Sequence, residues 1–272
     1  MNRAPIGIFD SGIGGLTVAR AIYELLPAED TVYLGDTARV PYGPKSPATV
    51  QRYSHEILDW LLAQGVKAVV VACNTATAHA LDSLRAASPV PVLGVVDPGA
   101  RAAVEANHGG AVGVIGTAGT IASGAYRRAL LALDADLRVV EQACPLFVPL
   151  VEEGWFTHPA ARLVAEEYLA PVRAAGVDAL VLGCTHYPLL KPLLGELLGS
   201  RVALIDSAQE TARQLAVILD ERGLAPDRTG EGRHRWAATD DVARFGRVGA
   251  LFTGRALTEV ELVELGPSAV VS

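Results

Sequence analysis

Short apolar runs recur along this chain, and they are continuous rather than alternating. "IGIFD", "TVYLGD", "AVVVACN" and "VPVLGVVD" occur early; "AVGVIGT", "LRVVEQA", "ALVLGCT" and "VALIDSA" follow. An alternating strand buries one face, whereas a continuous run is covered on both, as in a parallel sheet lying between helices. Between the runs lie segments such as 16–26, 47–64 and 159–175, with apolar residues near helical spacing. Strands and helices therefore alternate, which predicts an α/β fold with mostly parallel, Rossmann-like sheets. Such sheets bind ligands outside the carboxyl ends of their strands. Asp10, Asp36, Cys73 and Asp97 fall at such ends in this reading.

The chain also matches itself. "GVKAVVVACNT" (65–75) aligns without gaps on "GVDALVLGCTH" (176–186), an offset of 111. "IGIFDSG" (6–12) matches "VGVIGTAG" (112–119) more loosely, at an offset of 106. Two similar offsets suggest two related α/β domains with pseudo-two-fold symmetry and an active site in the cleft between them. Chance similarity of α/β units is the competing explanation. The expected division is residues 1–97 plus 207–272, carrying Cys73, and residues 98–206, carrying Cys184. The crossover falls near Asp97-Pro98-Gly99, and the tail after Leu204 returns to the first half. Residues 227–235 read as a polar loop and the final "GPSAVVS" as a frayed end.

At 272 residues, 50% hydrophobic and 19% charged, the chain can bury a sizeable core. A net charge of −7 without a run of Lys and Arg argues against nucleic-acid binding. Its three cysteines, Cys73, Cys144 and Cys184, are too few and too scattered for a disulfide framework and suit a reducing compartment. The N-terminus has no apolar signal region, and no stretch approaches the length of a membrane span. The expectation is a soluble cytoplasmic protein.

If the halves face each other, Cys73 and Cys184 stand at equivalent strand ends on opposite walls of one cleft. Inverting a stereocentre that bears a hydrogen needs a base on one face and an acid on the other. A thiol, with a free pKa of about 8.5, can serve as either near neutrality. Asn74-Thr75 and Thr185-His186 follow the two cysteines and, with the amides of any following helix, are placed to hold a carboxylate. Cys144, in "EQACPLF", reads as a buried core residue. Zinc fits poorly, because Cys184 and His186 are too close in sequence and neither CxxC nor HxxxH occurs. "FDSGIGGLT" has a glycine loop but neither GxGxxG nor a Gly-Lys-Ser/Thr element, so it is a tight turn or a means of presenting Asp10 and Ser11. "RVPYGPKSP" (39–47) is a connector or a pocket wall offering backbone groups and Tyr42. In "PLFVPLVEEG", Glu152 and Glu153 are solvated acids unless one is aimed at His186.

Taken together, "FDSGIGGLTV", "GDTARVPYG", "ACNTATA", "VIGTAGTI", "PLVEEG" and "GCTHYPLL" resemble the bacterial glutamate racemases of the aspartate/glutamate racemase superfamily. The resemblance runs from about Ile6 to Val263 and is least distinctive past Leu204. Aspartate racemases usually read GCTE where this chain has Gly183-Cys184-Thr185-His186, which favours glutamate. The resemblance implies a racemase without cofactor or metal, supplying D-glutamate for peptidoglycan, with Cys73 and Cys184 as the acid/base pair. It implies that Asp10 assists at Cys73, and Glu152 and His186 at Cys184. Substrate contacts would come from Asp10, Ser11, Pro41, Tyr42, Gly43, Asn74, Thr75, Thr117, Thr120, Thr185 and His186. The expected partner is L- or D-glutamate, with no nucleic acid and no membrane; a homodimer is compatible with the sequence. The rivals are a racemase for aspartate or another acidic amino acid, and a two-lobed amino-acid-binding protein without turnover.

Overall fold

A computed structural model describes residues 3–226, 230–254 and 256–266. The chain first lays down β1 (Ile6–Asp10), α1 (Leu16–Leu25), β2 (Thr31–Gly35), α2 (Pro47–Ala63), β3 (Ala68–Val71), α3 (Asn74–Ala87) and β4 (Val92–Gly94). A second series follows: α4 (Val96–Glu105), β5 (Ala111–Gly116), α5 (Ala118–Ser123), α6 (Ala125–Leu133), β6 (Val139–Ala143) and α7 (Phe147–Glu152). It continues through α8 (Pro159–Ala174), β7 (Val177–Gly183), α9 (Lys191–Leu198) and β8 (Ala203–Ile205). The tail is α10 (Ala208–Glu221), β9 (His234–Ala238), α11 (Val242–Thr253) and β10 (Val260–Leu262).

Two sheets result, ordered β10-β9-β2-β1-β3-β4 and β6-β5-β7-β8, and every strand pairing in both is parallel. The continuous apolar runs explain this: β1, β2, β3 and β5 are buried along their whole length between helical layers. The helices start where local chemistry allows. Ser46 accepts a bond from the Thr49 amide ahead of Pro47 at the start of α2, and His158 caps α8 ahead of Pro159.

The self-match is preserved in the pairing. Ile6 stands opposite Ala68 in β1/β3, and Val112 opposite Ala179 in β5/β7. Those are the residues that the two sequence offsets superimpose, so the repeat holds in register as well as in sequence. One hydrophobic cluster, from Ile8 and Tyr33 to Phe147, Leu180 and Leu190, runs through both sheet systems. The tail does return to the first sheet: β9 pairs with β2 and α10 packs on α1. Buried Lys67 bonds Glu29 at 2.6 Å and the Leu224 carbonyl at 2.7 Å, fixing the end of α10 to that half.

Two expectations are corrected. The polar loop at 227–235 ends earlier than expected, because β9 begins at His234. The first three residues of β9 are half-buried or exposed and only Ala237 and Ala238 are buried, so it lacks the continuous buried run of β1, β2, β3 and β5. Asp97 is not at a strand end. β4 stops at Gly94, and Asp97 sits in the first turn of α4, half-exposed and 3.9 Å from Arg85. Residues 227–229 of that loop, and all of "GPSAVVS" after Gly266, lie outside the described residues. No helix among the described residues is long and apolar enough to cross a membrane.

Candidate active site

The carboxyl ends of both sheets meet at one seam. β1 delivers Asp10, fully buried, whose carboxylate accepts the Gly12 amide at 3.0 Å and the Thr185 hydroxyl at 3.4 Å from the other half. Thr17 returns the contact by donating to the Thr185 carbonyl at 3.4 Å. Here the glycine loop has its explanation. A Cβ on Gly14 would lie 2.3 Å from the Thr185 hydroxyl and 2.5 Å from Nδ1 of His186. The loop is bare so that the second half can seat against it, not to cradle a phosphate.

Cys73 ends the β3 segment and caps α3, its sulfur accepting the Ala76 amide at 3.4 Å. Burial is the main cause that pushes this thiol up, to about 12; the Asp10 charge adds to it, while the Ala76 amide and Ser11 oppose it. Burial likewise raises the carboxyl of Asp10, against the nearby charge of His186 and the Gly12, Gly15 and Thr185 donors.

Cys184 is equally buried but is followed by a short 3₁₀ turn, Tyr187–Leu190, instead of an α-helix. The helix amides anticipated after each cysteine therefore exist beside Cys73 only; Pro188 and the turn geometry delay α9 until Lys191. An imidazole takes their place. Nδ1 of His186 lies 3.9 Å from the Cys184 sulfur, and its Nε2 lies 3.0 Å from Oε1 of Glu152. Burial opposes charge on His186, but bonds and charges from Cys184 and Glu152 prevail and raise it to about 10. Glu152 is held below the ordinary carboxylate range: burial works against this, and the His186 bond, the His186 charge and the Arg244 charge outweigh it. Of the two acids in "VEEG", Glu152 is thus the one aimed at His186, while the Glu153 side chain is 69% exposed.

Hydroxyls line the rest of the seam. Thr75, Thr117 and Thr120 form a closed ring at 2.9, 3.0 and 3.1 Å. Asn74 accepts the Tyr126 hydroxyl at 2.7 Å. A cavity of about 350 Å³ opens beside them, lined by Pro41, Gly43, Thr117, Val148 and Glu152 among others. The Gly43 carbonyl accepts the Gly119 amide at 2.9 Å, and a Cβ on Gly119 would lie 2.7 Å from that carbonyl.

The Tyr42 side chain packs in the same buried cluster as Cys73. It is buried, and its hydroxyl donates to Asp36. Asp36 also accepts Nε of Arg39 at 2.7 Å and the Thr239 hydroxyl at 2.9 Å. What Tyr42 can offer a ligand is its backbone. Cys144 is buried and its thiol is raised by burial. It follows β6, Cys184 follows β7, β5 lies between those two strands, and both thiols are free. No group of three or more His, Cys, Asp or Glu among the described residues is arranged to hold a metal ion.

Several members of this constellation escape sequence reasoning. Asp36 is visible as a strand end, but its role as anchor of the Tyr42 loop is not. Tyr126 gives no signal at all. Nor does α11, which sets Phe252 edge-on to His186, ring centres 5.5 Å apart, and Arg244 on Glu152 at 3.3 Å.

Comparison with known proteins follows the same lines. The Asp/Glu/hydantoin racemase family profile matches residues 6–215. The chain is 54% identical to a glutamate racemase of Geobacter metallireducens over 260 residues, covering 96% of each chain. It superposes on a glutamate racemase isoform from Bacillus anthracis with a TM-score of 0.94 at 41% identity, covering 97% of this chain and 99% of that one. A glutamate racemase from Francisella tularensis, solved in complex with D-glutamate, superposes with a TM-score of 0.91 at 38% identity, covering 97% and 99%.

Proposed function

The chain belongs to the Asp/Glu/hydantoin racemase family, and on that premise we propose that it is a glutamate racemase that moves the Cα proton between Cys73 and Cys184. The meeting of two equivalent strand ends carries this reading. Thr185 bonds Asp10 across the seam, so the neighbours of one thiol touch the neighbours of the other.

One thiolate takes the Cα proton, and the electron pair stays on the substrate as a carbanion. Donors around the substrate carboxylate stabilise it in a site screened from water. The opposite thiol then delivers its proton to the other face. Each turnover leaves the two sulfurs with exchanged protonation. Burial pushes the Cys73 thiol up to about 12, whereas the Cys184 sulfur has Nδ1 of His186 beside it at 3.9 Å. Asp10 and Ser11 serve the Cys73 side, His186 and Glu152 the Cys184 side. Asn74, the three threonines and Thr185, with the backbone of residues 41–43, hold the amino acid.

The domains are residues 1–97 plus 207–272 and residues 98–206. D-Glutamate made this way feeds peptidoglycan in the cytoplasm. A homodimer is the assembly we propose; mass in solution tests it. The decisive experiment is circular dichroism of L- and D-glutamate with purified protein and no added cofactor, repeated in deuterated water. Decay of either signal to zero, with solvent deuterium at Cα of the product, is expected. A constant signal, or product that keeps its original hydrogen, defeats the reading. Turnover of aspartate in preference to glutamate reassigns the substrate.

A further inference from the structure

Glu152 uses both its oxygens. Oε1 meets Nε2 of His186 at 3.0 Å, and Oε2 meets Nη2 of Arg244 at 3.3 Å. The two partners come from different halves. His186 follows β7 of the second sheet, whereas Arg244 lies in the first turn of α11, between two strands of the first sheet. That turn is well fixed, because Asp241 caps α11 and accepts the Arg244 amide at 2.9 Å.

Glu152 has little else to hold it. It is the last residue of a six-residue helix and lines the 350 Å³ cavity. A carboxylate tied at one oxygen only is free to rotate into that cavity and let the imidazole follow. Tied at both, it fixes the ring plane that aims Nδ1 at the Cys184 sulfur. Phe252, from the same α11, closes the other side of the ring edge-on. The remaining charged groups here are Asp10 near His186 and Glu153, 3.6 Å from Arg244.

We propose that Arg244 is a positioning residue of the racemase: by clamping Glu152 from the opposite half, it keeps His186 aimed at Cys184. The inference rests on the functional reading above. Arg244 touches neither sulfur, so its removal acts on turnover more than on binding. The Arg244–Glu152 contact is 38% exposed on the arginine side, and a pair of that kind is worth up to about a factor of five.

The test compares Arg244→Ala, Arg244→Lys, Glu152→Gln and the double variant R244A/E152Q with the unmodified protein. For R244A, kcat is expected to fall about fivefold in both directions, with KM within about twofold. R244K is expected to recover most of the loss. In the E152Q background, R244A is expected to cost nothing more. Two readouts separate positioning from a merely structural role. The acid limb of the R244A profile moves to higher pH, since Glu152 loses a cation that favours its ionised form. The His186 ring signals, followed by 15N NMR, titrate at lower pH in R244A than in the unmodified protein. Unchanged kcat in R244A, losses that add in the double variant, or an unmoved His186 titration each overturn the proposal. If the unmodified protein leaves glutamate untouched, it is the functional reading that fails, and the NMR titration still tests the clamp.

Discussion

Cys73 and Cys184 stand at the ends of strands that share sequence and register, yet almost nothing around them is alike. Cys73 caps a 14-residue helix and has a buried carboxyl for a neighbour. Cys184 runs into a 3₁₀ turn and has an imidazole, then a carboxylate, then a guanidinium. The backbone is duplicated; the electrostatics are not. The substrate explains why they need not be. Two enantiomers present the hydrogen to opposite faces, but the ammonium and both carboxylates must still be held by one set of groups. In the proposed reaction a symmetric pair of sulfurs therefore works inside an asymmetric pocket.

The largest expected effect tests what the two sides share. Cys73→Ala and Cys184→Ala should each lower kcat by at least about a thousandfold, read by polarimetry from either enantiomer. If one variant turns over normally, the two sides are not partners. Next comes a change aimed at one side alone. Gly14→Ala puts a methyl group where the Thr185 hydroxyl and the His186 ring sit. It should cost about a hundredfold in kcat and displace the His186 ring signals. Activity near that of the unmodified protein would show that the loop yields, and that the seam is softer than its spacing implies.

A third test separates the sides by pH. His186 is raised from 6.5 to about 10. Its contribution to stability is complete below 6.5 and is lost as pH rises through 10, because the folded form holds the proton longer. Cys73 is raised from 9.0 to about 12, so its contribution is complete below 9.0 and fades above it as the unfolded chain ionises first. The Tm difference between the unmodified protein and His186→Asn should narrow from pH 6.5 to 10, whereas for Cys73→Ala it should start to narrow only above pH 9. Coincident windows would erase the distinction between the sides. The smallest effect is remote. Thr239→Val removes one of the bonds that anchor Asp36, and should cost about 1 kcal/mol of stability with less than a threefold change in KM.

Much of this was legible beforehand because it rests on hydrophobic runs. β1 to β8 and the helices at 16–26, 47–64 and 159–175 follow from them, as does the repeat that pairs the cysteines. β9 escaped because a strand with half-exposed His234, Arg235 and Trp236 has no such run. The site was legible where a side chain belongs to a strand end, as with Asp10 and Cys73. It was illegible where side-chain direction depends on a distant partner. The Tyr42 loop could be read as a connector or as a pocket wall, and the bond that holds its hydroxyl on buried Asp36 gave no sequence signal. Arg244 lies 92 residues from Glu152, and only the return of the tail to the first sheet brings them together.

The threonine ring carries a consequence of its own. Three hydroxyls joined in a closed circle have three protons and three bonds, so within the circle each oxygen gives once and receives once, while Thr117 Oγ1 also accepts the Thr120 amide at 3.2 Å. In the proposed binding mode, an arriving carboxylate that accepts from one threonine opens the circle into a short chain, exchanging a neutral hydrogen bond for a charge-assisted one, about twice as strong. On departure the circle closes again and no hydroxyl is stranded. The wall is therefore saturated both empty and loaded. For a catalyst that must release whichever enantiomer it has just made, a wall left satisfied on departure is the useful property.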